Sequence, residues 1–346
     1  DNEEKILQHG GRHERYKIRV FCRIRPVNRN EAAQGGVIVV DKIDEFSVTI
    51  DTPRGQREFQ FDKVFSAGAS QEDLFHDTNL IQSTIDGYNV CIFAYGQTGS
   101  GKTFTMVGDK EQKNPGLMPR SFNAIFDIIR ENSSKFDFKV SAYMLELYND
   151  RLQDLFVSQA GEAHAQTQSH GQARRVEIKR NRKGVVFAQG AETKEASSAQ
   201  ELYALFQQAC ANRHISATMN VESSRSHLIV GIRVESKNLT NGSVSTGKLS
   251  LVDLAGSERA AKTGAKDHQL KQVMQDSLGG NAKTLMIVNI SPSECNLDET
   301  LTSLYATRVK AITNNAQRNV ESKEIAQLKE VIMKLKSGQS VEDVDV

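Results

Sequence analysis

This sequence predicts an α/β fold, with a central, mostly parallel β-sheet and helices on both faces. Three observations predict it. Apolar, β-branched runs of strand length recur along the chain, from KIRVFCRI at Lys17–Ile24 to AKTLMIVNI at Ala282–Ile290. Amphipathic segments of helical period fall between them. One apolar run, Tyr88–Ala94, leads straight into the glycine-rich stretch IFAYGQTGSGKTFTMVG, Ile92–Gly108, which reads as a turn between a strand and a helix.

The elements follow in order. Lys17–Ile24 is a strand, broken by RPVNRNEAAQGG. Ser47–Ile50 and Arg57–Phe61 are short strands around the turn TPRG. A helix is expected from Gln71 to Thr84, ending near Asp86. Tyr88–Ala94 is so evenly apolar that it belongs in the centre of a sheet. In Pro119–Glu131, Phe122, Ile125, Phe126 and Ile129 share one helical face, with Pro at the start. Lys139–Tyr148 is a strand, Asp154–Arg174 a Gln-, His- and Ala-rich loop, and Ala199–Asn212 a helix. His227–Ser236, Gly247–Asp253 and Ala282–Ile290 are strands, and Ser322–Lys336 is a helix. There is no internal repeat.

Composition bounds the function. The chain's 346 residues, 38% of them hydrophobic, suit one large α/β domain or two of ordinary size. Its 44 Lys+Arg against 43 Asp+Glu leave a net charge of +1, so a polyanionic partner must be met by local basic patches. Cys22, Cys91, Cys210 and Cys295 are scattered, without metal or CxxC spacing, which fits a reduced cytosolic setting. No apolar stretch approaches about 20 residues, and DNEEKILQHGG has no signal-peptide core. A soluble intracellular protein is expected, with neither membrane nor nucleic acid as partner.

Three stretches carry chemistry. Gly96-Gln97-Thr98-Gly99-Ser100-Gly101-Lys102-Thr103 matches GxxxxGK[ST], the phosphate loop of P-loop NTPases. Its small residues let backbone N–H groups turn inward, Lys102 brings charge to the β- and γ-phosphates, and the Thr103 hydroxyl can ligate Mg²⁺. LSLVDLAG, Leu249–Gly256, ends a strand in Asp253, which can hold Mg²⁺ through a water. Gly256 can bring its N–H to a γ-phosphate and move when the phosphate leaves. NVESSRSH, Asn220–His227, clusters hydroxyls, an Arg and a His. Alone, such an Asp reads equally as a helix cap and such a Ser/Arg cluster as a solvated turn. It is their joint occurrence that points to a nucleotide switch.

FAYGQTGSGKT, NVESSRSH and LVDLAGSE together resemble the P-loop, first switch and second switch of the kinesin motor domain. The resemblance runs from Lys17 to about Asn315 and includes RIRP, LELYNDRLQDL and DSLGGNAKTL. It implies the kinesin motor fold and a microtubule-stimulated ATPase with ATP and Mg²⁺ as ligands. Arg23, Arg25 and Pro26 of RIRP, with Phe104, would border the adenine; Asn220 and Ser223 would help to bind the nucleotide. Thr103 and Ser224 would be near Mg²⁺, with Asp253 behind them, and Gly256 would sense the γ-phosphate. Arg225 and Glu258 would form a salt bridge that closes over the phosphate and organises the attacking water. The track, tubulin, is acidic. Arg174, Arg175, Lys179, Arg180, Arg182 and Lys183 form one patch for it; Lys262, Lys266 and Lys271 form another. A competing reading keeps the fold but not the turnover, as a nucleotide-insensitive microtubule-binding protein. The presence of every named catalytic residue favours the motor.

The chain departs from the family pattern in two places. After Lys271 it jumps to Gln272–Ser277 where kinesins continue with a long helix, a basic loop and the start of another helix. Losing these would strip the cover from one side of the core, so the natural chain is expected to carry them. Leu301–Ala306 is one residue short, which would turn later helical side chains by about 100°, so the natural chain is expected to carry one more residue there.

The ends suggest a subclass. Residues 1–16 read as the end of a neck, 17–315 as the motor, and 316–346 as a C-terminal extension. A neck ahead of the motor resembles the carboxy-terminal-motor, typically minus-end-directed class, in which the neck is a dimerising coiled coil. In SKEIAQLKEVIMKLKSG, Ile325, Leu328, Ile332 and Leu335 fall at 3-4-3 spacing among lysines. This suits a groove-binding partner, a helix docked on its own motor, or a short coiled coil. The order Asn319–Glu324 resembles the calmodulin-binding kinesin of plants and algae, which implies a calmodulin-type Ca²⁺ sensor on residues 322–337. The acidic VEDVDV that follows could fold back on a basic surface. A microtubule location, including the spindle, is implied.

Overall fold

The structure is a computed structural model that describes residues 14–157, 175–217, 223–259 and 268–338. Its strands are β1 (Glu14–Lys17), β2 (Arg19–Ile24), β3 (Val40–Lys42), β4 (Ser47–Thr52), β5 (Gly55–Gln60), β6 (Lys63–Phe65), β7 (Asn89–Tyr95), β8 (Phe136–Tyr148) and β9 (Arg151–Asp154). They continue with β10 (Glu177–Arg180), β11 (Val186–Gln189), β12 (Lys194–Ala196), β13 (His227–Asn238), β14 (Val244–Asp253), β15 (Lys283–Ile290), β16 (Thr313–Ala316) and β17 (Val320–Glu321). The helices are α1 (Arg29–Ala33), α2 (Gln71–Thr78), α3 (Ile81–Ile85), α4 (Lys102–Met106), α5 (Leu117–Glu131), α6 (Ala199–Ala217), α7 (His268–Val273), α8 (Leu297–Leu304) and α9 (Lys323–Lys336).

The main sheet runs β12-β8-β13-β14-β7-β15-β2-β6, with β9 and β17 at its side. It is mixed. From β14 through β7, β15 and β2 to β6 every pairing is parallel, whereas β12, β8, β13 and β14 pair antiparallel. The mostly parallel expectation therefore describes only the half that carries the phosphate loop. The other half is antiparallel because β13 and β14 are joined by a short hairpin, and a short connection cannot return a chain parallel to itself.

Each sheet face is buried by its own cluster. One holds Val90, Ile92, Leu249, Leu251, Leu285 and Ile287 under Phe122 and Ile125 of α5 and Leu202 and Phe206 of α6. The other holds Cys91, Phe93, Val252, Met286 and Val288 under Leu304 of α8 and Met274. This alternation along β7, β14 and β15 makes the central strands apolar on both sides, as their sequence predicts.

Three details differ from the sequence reading. The helix expected over Gln71–Thr84 is two helices, because Asn79 caps α2 in the left-handed conformation (φ 46°). The charged segment Arg175–Gly184, to which the sequence assigns no element, contributes β10 to a hairpin with β11. The boundaries expected after residues 16 and 315 cut through a strand pair, since Glu14–Lys17 runs antiparallel to Thr313–Ala316. The Val320–Glu321 strand then joins β14, so the stretches 14–17 and 313–321 are both hydrogen-bonded into the body. Past Leu304 the chain continues as a 3₁₀ helix from Tyr305 to Ala311.

Candidate nucleotide-binding site

The site lies where β7 and β14 end side by side. Ala94 pairs with Asp253 across the parallel ladder, and Leu228, just after the start of antiparallel β13, pairs with Asp253 from the other side. The segments Gly96–Thr103, Asp253–Glu258 and Ser223–Arg225 therefore leave the sheet at one edge. Ligand sites belong at such carboxyl ends of parallel strands.

The phosphate loop turns through positive φ at Gly96, Gly99 and Gly101 (153°, 79° and 98°), and α4 starts at Lys102. At Gly96 a side chain is excluded by packing as well, since a Cβ would stand 2.3 Å from the Asn289 carbonyl oxygen. Lys102 is only 7% exposed and donates from Nζ to the Gln97 carbonyl at 2.8 Å. Burial pulls its pKa down, partly offset by Asp253 and Glu258. A phosphate would restore the charge partner that burial demands. Ser100 donates its hydroxyl to the same carbonyl at 2.7 Å.

Thr103 donates its hydroxyl to Asp253 Oδ2 at 2.7 Å, which leaves its oxygen lone pairs free to ligate a cation. The other oxygen of Asp253, Oδ1, is buried without a hydrogen-bond partner. Burial raises the Asp253 pKa against the Thr103 bond and the charges of Arg213 and Lys102. An orphaned carboxylate oxygen beside a threonine hydroxyl at a phosphate loop fits Mg²⁺ chemistry, in which hard oxygen donors share the ion with phosphates and water. Outside this pair, the described residues hold no group of three or more His, Cys, Asp or Glu placed for a metal.

The two switch segments are tied to each other and to the loop. Gly256 donates its N–H to the Ser224 carbonyl at 3.0 Å, and Ser257 donates its N–H to the Gly96 carbonyl at 2.9 Å. Glu258 accepts from the Thr98 N–H at 3.0 Å and from the Thr98 hydroxyl. Burial opposes its charge, but the two Thr98 bonds prevail and lower its pKa. A Cβ at Gly256 would lie 2.4 Å from Thr98 Oγ1 and 2.5 Å from Glu258 Oε1, so a side chain there would displace Glu258 from Thr98.

The expected Arg225–Glu258 salt bridge is not formed. Glu258 takes the fixed donors of Thr98, and Arg225 stands exposed. Ser223 lies in the 3₁₀ turn Ser223–Arg225, while Asn220 is outside the described residues.

The residues expected around the adenine split into two groups. Arg23 lies over the Phe104 ring, 5.4 Å from its centroid, and donates to Gln71 Oε1 (2.5 Å) and Thr105 Oγ1 (3.0 Å). Burial pushes its pKa down to about 10. Arg25 instead braces the phosphate loop, donating from Nε to the Gly99 carbonyl at 2.7 Å and from its terminal nitrogen to the Pro26 carbonyl (2.8 Å) and Glu31 (2.5 Å). Glu31 is buried, yet hydrogen bonds from Arg25, Ser291 and the Asn28 N–H hold its pKa down to about 2.

Sequence reasoning missed Glu31, Gln71, Arg213 and Glu146. Asn28-Arg29-Asn30-Glu31 is a capping box and was readable as one. For the other three no local pattern exists.

The kinesin motor domain family matches residues 23–271 and 266–312. The chain belongs to that family. The kinesin-like protein KIN-14E of Arabidopsis thaliana is 42% identical over 372 residues, covering 95% of this chain and 28% of that protein. KIN-14I of Oryza sativa subsp. japonica is 43% identical over 370 residues, covering 95% and 29%. The chain thus spans less than a third of the length of these two relatives. A solved structure titled "Structure of a fast kinesin: Implications for ATPase mechanism and interactions with microtubules" superposes with a TM-score of 0.78 at 33% identity, covering 88% of this chain and 94% of that one. The family match falls into two pieces that meet at residues 266–271, and both alignments exceed the 346 residues of the chain. These kinesins carry residues that this chain lacks, in line with the jump seen after Lys271.

The basic hairpin projects Arg175, Lys179, Arg180, Arg182 and Lys183 into solvent, and exposed Lys271 lies on α7, which packs against β10 and β11. Arg174, Lys262 and Lys266 lie outside the described residues. No helix among the described residues is long and apolar enough to cross a membrane.

Proposed function

We propose that this chain hydrolyses ATP between the phosphate loop and its two switches, and that loss of the γ-phosphate changes its grip on a microtubule. One observation carries the reading: the backbones of Gly256 and Ser224 are hydrogen-bonded to each other, and Ser257 and Glu258 to the loop, at the point where a γ-phosphate would end. A phosphate there competes for the Gly256 N–H, so nucleotide state and switch position are one equilibrium.

The residues act by placement and charge. Lys102 and the loop N–H groups bind the phosphates, and Arg23 with Phe104 forms the wall for the base. Thr103, Ser224 and Asp253 would hold Mg²⁺, which supplies positive charge to the phosphate oxygens. Glu258 and Arg225 organise the attacking water once Glu258 has left Thr98. Phosphoryl transfer needs this positioning more than it needs a strong base.

The KIN-14 relatives support a minus-end-directed class working on the microtubule cytoskeleton; a dimerising neck upstream and a place on the spindle are part of the proposal. The motor unit of this reading is residues 17–315, with the paired strands at both ends joined to it. The exposed basic hairpin supplies the contact to acidic tubulin. ATP turnover should rise on adding microtubules, and microtubule affinity should differ between ADP and a non-hydrolysable triphosphate. Equal affinities in the two states would overturn the motor and favour a nucleotide-insensitive binder.

The finer reading is capture of α9 by a calmodulin-type sensor. Ile325, Leu328, Ile332 and Leu335 are 48%, 62%, 50% and 60% exposed, which argues against a helix docked on its own motor. Lys329 and Lys183 both pair with Glu321, so α9 begins beside the basic hairpin. The acidic 341–346 segment lies outside the described residues. Ca²⁺-calmodulin should lower microtubule-stimulated turnover; an unchanged rate rejects this part alone.

A further inference from the structure

Among the described residues, three tethers hold the first switch from Ser224 to His227. Two come from the second switch: the Gly256 N–H donates to the Ser224 carbonyl (3.0 Å), and the Ala255 N–H donates to His227 Nδ1 (2.8 Å). The third comes from behind. Arg213, on α6, donates from one terminal nitrogen to the Ser226 hydroxyl (2.9 Å) and more distantly to the Ser226 carbonyl (3.4 Å). Arg213 and Ser226 are both buried, at 8% and 1% exposure.

A buried guanidinium needs a counter-charge. Glu146 supplies it from β8, with Oε2 at 3.8 Å from Arg213 Nε. Neither of these two atoms has a hydrogen-bond partner, so Glu146 holds the charge while Ser226 takes the directed bonds. Register explains why they meet: Glu146 lies opposite Leu228, and Leu228 lies opposite Asp253.

We propose that Arg213 is a positioning residue for nucleotide turnover. Its guanidinium fixes Ser226 from the back, so that Ser224 and His227 meet Gly256 and Ala255 in register, with Glu146 balancing the charge. Arg213 touches neither nucleotide nor reacting atoms in this reading; it acts through the first switch. A lysine keeps the charge, but its single ammonium cannot face Ser226 and Glu146 at once, as the terminal nitrogen and Nε of the guanidinium do.

The inference deepens the ATPase reading and rests on it. The test compares Arg213→Lys, Ser226→Ala and the double variant by steady-state ATPase and by amide hydrogen exchange. Each single variant should lower kcat about tenfold or more, the equivalent of one hydrogen bond to a charged group, with the KM for ATP within about twofold. The double variant should be little worse than the worse single one, because both remove the same contact. Amides of residues 224–228 and 254–257 should exchange about tenfold faster while the rest of the sheet keeps its protection. A wild-type kcat in Arg213→Lys, effects that multiply in the double variant, or faster exchange throughout the chain would each overturn the proposal. A wild-type protein that fails to turn over ATP would sink the motor reading instead, and the exchange pattern would still decide the tether.

Discussion

Gly256→Ala separates nucleotide binding from switch closure. The new Cβ would stand 2.4 Å from Thr98 Oγ1 and 2.5 and 2.6 Å from the two Glu258 oxygens. Real Cβ contacts do not approach so closely, and the atoms in the way are side-chain ends, so Glu258 moves while the backbone stays. The Thr98–Glu258 pair is then lost. Two hydrogen bonds to a carboxylate at a half-buried site are worth roughly 3 kcal/mol together, taking the low end of the usual range. That is roughly a 150-fold loss of the observed open arrangement, in which Glu258 rests on Thr98 rather than on Arg225. Stopped-flow binding of a fluorescent ATP analogue should change by only a few-fold, since Lys102 and Thr103 are untouched. Microtubule-stimulated turnover should still fall by about tenfold or more, because the same methyl crowds Glu258 on its way to Arg225 and the Gly256 N–H on its way to the γ-phosphate, and such crowding costs about 1–3 kcal/mol. Wild-type turnover in this variant would refute the link between switch closure and catalysis.

Three further outcomes follow from the same geometry. In Gly247→Ala, a Cβ would meet the Thr84 backbone oxygen at 1.8 Å, so α3 must lift from β14; overpacking of this kind costs about 1–3 kcal/mol or more. Calorimetry should show Tm falling by several degrees, and an unchanged Tm rejects the close helix–sheet contact. Asp253→Asn should raise the Mg²⁺ concentration needed for half-maximal turnover by about tenfold or more while nucleotide still binds, with a Mg²⁺ titration as the check. His227 is pushed down to about 4 by burial, with the charges of Arg213 and Lys102 adding. Between pH 6.5 and 4 the unfolded chain therefore binds more protons than the folded one. Stability from this group is complete above pH 6.5 and is lost as pH falls toward 4, by up to about 1.4 kcal/mol per pH unit. His227→Asn should flatten Tm against pH in that window, and equal slopes in both proteins would reject the assignment.

The phosphate loop was legible because its chemistry is local: glycines where φ is positive, a lysine and a threonine at fixed spacing. The core strands were legible because two-sided burial writes an unbroken apolar run. The break between α2 and α3 was readable in principle, as Asn79 is among the few residues that tolerate the left-handed conformation at a helix end. Arg213 and Glu146 were not legible, because they are 67 positions apart in the chain and meet only through sheet register. The partner of Glu258 was not legible either. Glu258 takes the fixed donors of Thr98, 160 positions away in the chain, and no local pattern marks a contact of that span.

The mixed sheet is a requirement of the site. The phosphate loop and second switch follow the ends of β7 and β14, so those strands must be parallel for their ends to share an edge, as Ala94 and Asp253 do. The first switch precedes its strand. For Ser224 to reach the same edge, β13 must begin there, and it must therefore run antiparallel to β14, as the pairing of Leu228 with Asp253 records. Were β13 parallel, its 12 residues would carry Ser224 about 35 Å to the far end of the sheet. The sequence held the clue in Asn241-Gly242, a hairpin signal between two β-rich runs. With that turn antiparallel pairing is forced, and with it the row Ala94, Asp253, Leu228, Glu146 on which both switches and their rear tether are mounted.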